Sequence, residues 1–167
     1  MRKVERWLHH RSGGWSQSQL DQLMKQLTSS YQLQGPLLDV GCGDGRWHGY
    51  YPSGWVGVDL TDKFRNIRAA AQCLPFQDGA FASVAAITCI QHVPPEEKQE
   101  ALVEIVRVLQ HDGRFLFIEG AGHTSPDNNY IWGMTLEELE TFIQPYFTQL
   151  STATVAEYVG FLLGKKN

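Results

Sequence analysis

Read as apolar and polar positions, the chain switches repeatedly between the helical period and the strand period. Leu20, Leu23, Met24 and Leu27 recur at helical spacing and predict an amphipathic helix over residues 17 to 30. Ser16 and Gln19 have the spacing of a capping box at its start, and Gly35 with Pro36 ends it. Leu37, Leu38 and Val40 then make a short apolar run suited to a buried parallel strand over residues 37 to 40. Trp55, Val56, Gly57 and Val58 predict a second strand, closed by Asp59, and residues 82 to 90 read as a fourth. Pro94 and Pro95 open a helix, with Leu102, Ile105, Val106 and Leu109 as its buried face and His111, Asp112 and Gly113 as its stop. Residues 114 to 119 give a fifth strand. Thr135 and Glu138 form a second capping box ahead of Leu136, Leu139, Phe142 and Ile143. Residues 147 to 154 and 158 to 163 read as a closing hairpin. This alternation defines an α/β chain with a doubly wound, mostly parallel sheet and a C-terminal antiparallel hairpin.

Composition narrows the functional classes. With 167 residues the chain is expected to be one domain, and 43% hydrophobic residues suffice for a single core. A net charge of −4 gives no footprint for sequence-independent nucleic-acid binding, so DNA is not an expected partner. The one basic cluster is Arg2, Lys3, Arg6 and Arg11, with His9 and His10 beside it. No stretch approaches the ~20 apolar residues of a membrane span, and the start lacks a signal-peptide core, so the expected location is cytoplasmic. Cys42, Cys73 and Cys89 are odd in number and lack a C-x-x-C pair, which indicates neither a disulfide framework nor a metal site.

The most informative segment runs from residue 37 to 46, Leu-Leu-Asp-Val-Gly-Cys-Gly-Asp-Gly-Arg. Gly41, Gly43 and Gly45 leave a loop with almost no side-chain bulk after the first strand, where a ligand can approach the backbone. The dinucleotide fingerprint would place its third glycine at position 46, which is Arg46 here. Asp39 at the strand end would repel a pyrophosphate and favour a ligand carrying an ammonium group and a sulfonium.

With Asp39 in front, the segment resembles the first motif of the class I S-adenosylmethionine-dependent methyltransferases. The resemblance implies a seven-stranded Rossmann-like sheet, with residues 35 to 167 as core and residues 1 to 34 as an N-terminal helical cap. It is a trimmed version: 14 positions separate Gly45 from Asp59 and 15 separate Asp59 from Leu74. The first helix must therefore be brief, and the second helix and third strand are expected to be vestigial. The cofactor implied is S-adenosyl-L-methionine. Asp39 corresponds to the acid that bonds loop N–H groups and faces the methionine ammonium, and the loop of Gly41, Cys42, Gly43 and Gly45 to the ligand cradle. Asp59 corresponds to the acid on the ribose hydroxyls, since an ionised carboxylate can accept both hydrogens of a cis-diol.

Residues 73 to 78 resemble the loop bordering the adenine, with Leu60 and Leu74 expected to sandwich the base. Relatives commonly carry an acid four positions before that leucine, but Ala70 stands there. The adenine amino group is therefore expected to rely on backbone near Cys73 and Leu74 or on water. Residues 88 to 93, including Cys89, match the stretch under the methionine moiety, which brings Gln91 and His92 near the transferred methyl group. His92 is the candidate catalytic residue, as base or orienter. Glu119, His123, Tyr130 and Trp132 are further candidates on the acceptor side, with Trp7 and Trp15 as possible cover. The expected activity is methyl transfer to a small-molecule acceptor. Alternatives are a tRNA-modifying methyltransferase, suggested by residues 87 to 109, and a non-catalytic cofactor-binding relative.

Overall fold

The computed structural model describes residues 17–29, 32–61, 64, 67–122, 124–125 and 131–166. Ser16, Trp7, Trp15, His123, Tyr130 and the basic cluster at residues 2 to 11 lie outside them. The first element is helix α1, Gln17–Ser29, with Leu20, Leu23, Met24 and Leu27 buried as its spacing predicts.

Strands β1 (Leu37–Val40), β2 (Val56–Asp59), β3 (Ile67–Arg68), β4 (Phe81–Ile87) and β5 (Leu109–Gly120) pair in parallel, with β1 between β2 and β4. After β5, a two-stranded ribbon of β6 (Thr124–Ser125) and β7 (Ile131–Trp132) precedes helix α3, Leu136–Ile143. Strands β8 (Phe147–Val155) and β9 (Tyr158–Lys165) form the expected antiparallel hairpin. The sheet order is β3-β2-β1-β4-β5-β9-β8, so β9 is inserted antiparallel between β5 and β8. This is the seven-stranded Rossmann-like arrangement that the resemblance implied.

Alternate positions along the strands build two cores, as the period of two requires. Leu38, Val40, Val84, Phe115, Phe117 and Phe161 face helices α2 (Lys98–Val108) and α3. Leu37, Ala85, Ile87, Leu116, Ile118 and Leu162 face α1 and Trp47. Both faces are thus covered, but unevenly. Between β1 and β2 the chain makes one 3-10 turn, His48–Tyr50, in place of a helix, and β3 has two residues. The short spacings predicted this trimming.

Two boundaries differ from the sequence reading. The fourth strand ends at Ile87, because Thr88 takes a left-handed φ of 52° and residues 90 to 92 turn as a 3-10 helix. The stop placed at His111, Asp112 and Gly113 lies inside the span of β5. The helix already ends at Val108, and its partner register jumps from Phe81 with Leu109 to Ser83 with Arg114, so these residues bulge out of the ladder. The capping box at Thr135 is present as predicted, with its side chain accepting from Glu138 N–H and the Glu138 carboxylate accepting from Thr135 N–H. No described helix is long and apolar enough to cross a membrane.

Candidate active site

Strand order reverses beside β1: the chain passes to β2 and β3 on one side, then returns to β4 and β5 on the other. Ligands bind open α/β sheets at the C-terminal ends of strands at such a point. Here β1 and β4 come so close that a Cβ on Gly41 would lie 2.3 Å from Cys89 Sγ. Gly41 also has a φ of 73°, so glycine is required twice over. Its N–H and that of Cys42 both donate to Val58 O, at 2.8 and 3.1 Å, hooking the loop onto β2. Gly43 differs. A Cβ there would meet nothing within 4 Å among the described residues, which makes it the open face of the loop.

The acids divide the loop between them unexpectedly. Asp59 at the end of β2 accepts Gly43 N–H at 2.9 Å on one oxygen, and Thr61 N–H and Oγ1 at 2.8 Å on the other. A ribose diol at Asp59 would share it with these donors. Asp39 is only 1% exposed, and its Oδ2 is buried without a hydrogen-bond partner among the described residues. The loop N–H groups expected on Asp39 go to Val58 and Asp59 instead, which corrects that part of the sequence reading. Burial pushes the Asp39 carboxyl up to about 7; nearby Asp59 adds to the rise, and the hydroxyl of Tyr51 opposes it. Tyr51 Oη is likewise buried, and burial together with the neighbouring Asp39 carboxylate raises this hydroxyl well above the usual tyrosine range.

Tyr51 begins an aromatic row that the sequence reading missed. It meets Trp55 edge-on at 5.7 Å, and Trp55 stacks on Phe64 at 5.6 Å. Phe64 in turn lies 3.0 Å from where a Cβ on Gly45 would sit. The row therefore spans from Asp39 to the third glycine. Its residues are scattered over a segment with no periodicity, so only the fold reveals it.

Two of the three cysteines placed near the cofactor, Cys42 and Cys89, have inward-packed side chains, whereas Cys73 is exposed. Cys42 Sγ lies against Gly57 and Cys89 Sγ against Gly41. Burial pushes the Cys42 thiol up to about 12 and raises that of Cys89 well above the usual thiol range, so both stay protonated. Any contact from Cys42 to a ligand is through its backbone. On the adenine side Leu60 is exposed, while Leu74 is 4% exposed and packed into the core beneath α2. Cys73 N–H donates to Ala70 O and Leu74 N–H to Glu104 Oε2, so neither amide is open to a base. Arg107 fastens this loop by donating to Leu74 O, Phe76 O and the Asp78 carboxylate. Asp78 thereby has a partner of its own.

On the far side of β4, the turn at residues 90 to 92 is held by two buried charged side chains, Glu119 and Lys98. The Glu119 carboxylate, 1% exposed at the end of β5, accepts Ile90 N–H at 2.8 Å and Gln91 N–H at 3.2 Å. Lys98 Nζ donates to Ile90 O at 2.5 Å. Burial pushes Glu119 up to about 7, opposed by the Lys98 charge and the N–H groups of the turn. Burial lowers Lys98 while Glu119 raises it. Glu119 therefore supports the turn from below and does not face an acceptor. Gln91 is also buried, and its amide links Gly120 N–H to the His92 ring. The sequence reading brought Gln91 and His92 together but had no signal for Lys98, which looks like one more solvated charge in a helix.

These features meet the requirements of one ligand class. A buried carboxylate oxygen without a partner calls for a cation, a glycine with open space calls for close approach to the backbone, and a second acid stands one strand away. Residues 38–117 match the methyltransferase domain family. In fold, the chain is similar to 1,6-didemethyltoxoflavin-N1-methyltransferase of Burkholderia thailandensis, solved with S-adenosylhomocysteine. That match has a TM-score of 0.76 and 19% identity, over 91% of this chain and 80% of that one. Geranyl diphosphate C-methyltransferase of Streptomyces coelicolor, also solved with S-adenosylhomocysteine, gives 0.72 and 15%, over 87% and 76%. Over residues 38–117 the chain thus matches a methyltransferase domain, and it has the fold of these S-adenosylmethionine-dependent methyltransferases. It is also 28% identical over 135 residues to a tRNA (carboxymethyluridine(34)-5-O)-methyltransferase of Arabidopsis thaliana. The match covers 74% of this chain but 30% of that protein.

Proposed function

We propose that this chain transfers the methyl group of S-adenosylmethionine to a small-molecule acceptor. The observation that carries the cofactor half is Asp39 Oδ2, a buried oxygen with no partner beside a loop open at Gly43. S-adenosylmethionine supplies a methyl carbon already activated by a positively charged sulfur. Asp39 would face its ammonium, the backbone of Gly41, Cys42, Gly43 and Gly45 would line its path, and Asp59 would take the ribose hydroxyls. Leu60 would cover the adenine, with Cys73, Leu74 and Cys89 bordering the cofactor. Because the leaving group is neutral, the chain's own task is to hold the acceptor in line and exclude water. His92, on a turn fixed by Glu119 and Lys98, would stand beside that position.

The acceptor is inferred from what surrounds the strand ends. Residues 120 to 135 join β5 to α3, a stretch too short for a substrate domain. The net charge of −4 also disfavours a polyanion. A tRNA acceptor is the second reading, favoured by the Arabidopsis relative. Incubating the chain with isotopically labelled methyl donor, a metabolite extract and bulk tRNA separates them. Label in a small molecule is the expected outcome. Label in tRNA alone overturns the acceptor assignment, and cofactor binding without any transfer favours a non-catalytic role.

A further inference from the structure

Gln91 and His92 fix each other's hydrogen-bonding roles. Gly120 N–H can only donate, and it lies 3.3 Å from Gln91 Oε1, so that end of the amide is the carbonyl. The opposite end, Nε2, then faces His92 Nε2 at 3.3 Å, and an amide nitrogen also only donates. The ring nitrogen must therefore offer its lone pair, which leaves the ring proton on Nδ1. An imidazolium would set N–H against N–H. Rotating the amide to relieve that conflict would set its NH2 group against Gly120 N–H.

The frame around this relay is rigid. Gly120 is the last residue of β5 and pairs with Tyr158 in the sheet. The backbone of the turn is held by Glu119 through two N–H groups and by Lys98 through Ile90 O. Gln91 itself is 2% exposed, so no water competes for its amide.

We infer that Gln91 is a positioning residue that locks His92 as a neutral imidazole protonated on Nδ1, with its Nε2 lone pair engaged. With its Nε2 lone pair engaged in this way, His92 does not take a proton from the acceptor through that nitrogen. The functional half of this inference rests on the methyltransferase reading, whereas the tautomer does not.

The test uses the full chain labelled with 15N-histidine, examined by proton–nitrogen correlation spectra at mildly alkaline pH. The chain has 6 histidines, and the His92 signals are assigned by their loss in His92→Asn. We expect a pyridine-type shift at Nε2 and a pyrrole-type shift at Nδ1, the reverse of the tautomer that histidine prefers in water. The opposite pattern, or two pyrrole-type nitrogens, would overturn the inference. Gln91→Glu keeps an acceptor for Gly120 N–H but replaces the donor facing His92 with a second acceptor. Provided it unfolds at the wild-type denaturant concentration, it should move the ring proton to Nε2 or add a second proton. An unchanged His92 spectrum in that folded variant removes Gln91 from its assigned role. Neither cofactor nor acceptor is needed, so failure of the methyl-transfer assay and failure of this test remain distinct.

Discussion

Asp39 and Glu119 stand at the C-terminal ends of parallel strands, β1 and β5, each 1% exposed and each pushed up to about 7 by burial. Their surroundings are opposite. Glu119 has the Lys98 charge nearby and accepts two N–H groups, whereas Asp39 has an unpaired oxygen and another acid, Asp59, as its charged neighbour. The first arrangement is internally complete and holds a turn. The second has no cation beside the acid among the described residues. Burial alone does not distinguish a structural acid from a ligand-binding one; its partners do.

The largest expected effect removes the partner of the complete site. Lys98→Met leaves Glu119 without its cation and Ile90 O without its donor, and should destabilise the fold by about 3–5 kcal/mol above neutral pH. Because a protonated Glu119 needs no cation, the loss should shrink on acidification toward about pH 5. Denaturant titration at both pH values measures it. A loss independent of pH would mean that Lys98 acts through its bond to Ile90 O and its packing, not through its charge on Glu119.

Asp39 should respond with the opposite sign. Its folded pKa lies above its unfolded value, so the stability linked to its proton is present in acid and disappears as pH rises through about 7. Asp39→Asn should therefore stabilise the cofactor-free protein above neutral pH, by as much as roughly 4 kcal/mol, with little effect near pH 4. The same variant should lose cofactor affinity. In the native chain that affinity should fall about tenfold for each pH unit below 7, because binding a cation beside Asp39 requires its proton to leave. Thermal melts and calorimetry across pH test both halves.

A third acid sharpens the contrast with a smaller effect. Asp59 is bonded like Glu119 but sits, like Asp39, beside the open face of the loop. Asp59→Ala should weaken cofactor binding by about 1.5–3 kcal/mol, the range for hydrogen bonds to a charged partner. Normal affinity in a folded variant, read by calorimetry, would exclude Asp59 from the ribose.

What the sequence disclosed about these regions follows from how local each signal is. The glycine loop, strand β1 and the capping box at Thr135 are written within a few consecutive positions and emerge where the residues predict. The trimmed segment between Gly45 and Leu74 was legible from spacing alone. The boundary errors arise where tertiary pairing overrides local punctuation: Gly113 looks like a helix stop, yet the Phe81–Leu109 pairing draws the chain into the sheet before reaching it. Lys98 and Glu119 bring a helix start and a strand end onto one turn, and the Tyr51, Trp55 and Phe64 row joins three turns. Neither has a periodicity to reveal it.

The place of β9 bears on how the chain is made. It lies between β5 and β8 but follows both in sequence, so β8 has no neighbour in the sheet until residues 158 to 165 leave the ribosome. Through that interval one edge of β5, with Phe115, Leu116, Phe117 and Ile118 in succession, stands bare. An apolar strand with an unpaired edge is a template for association with other chains. The sheet thus closes from within and after synthesis of its outermost strand, and a nascent chain stalled before Tyr158 would be the form most prone to aggregate.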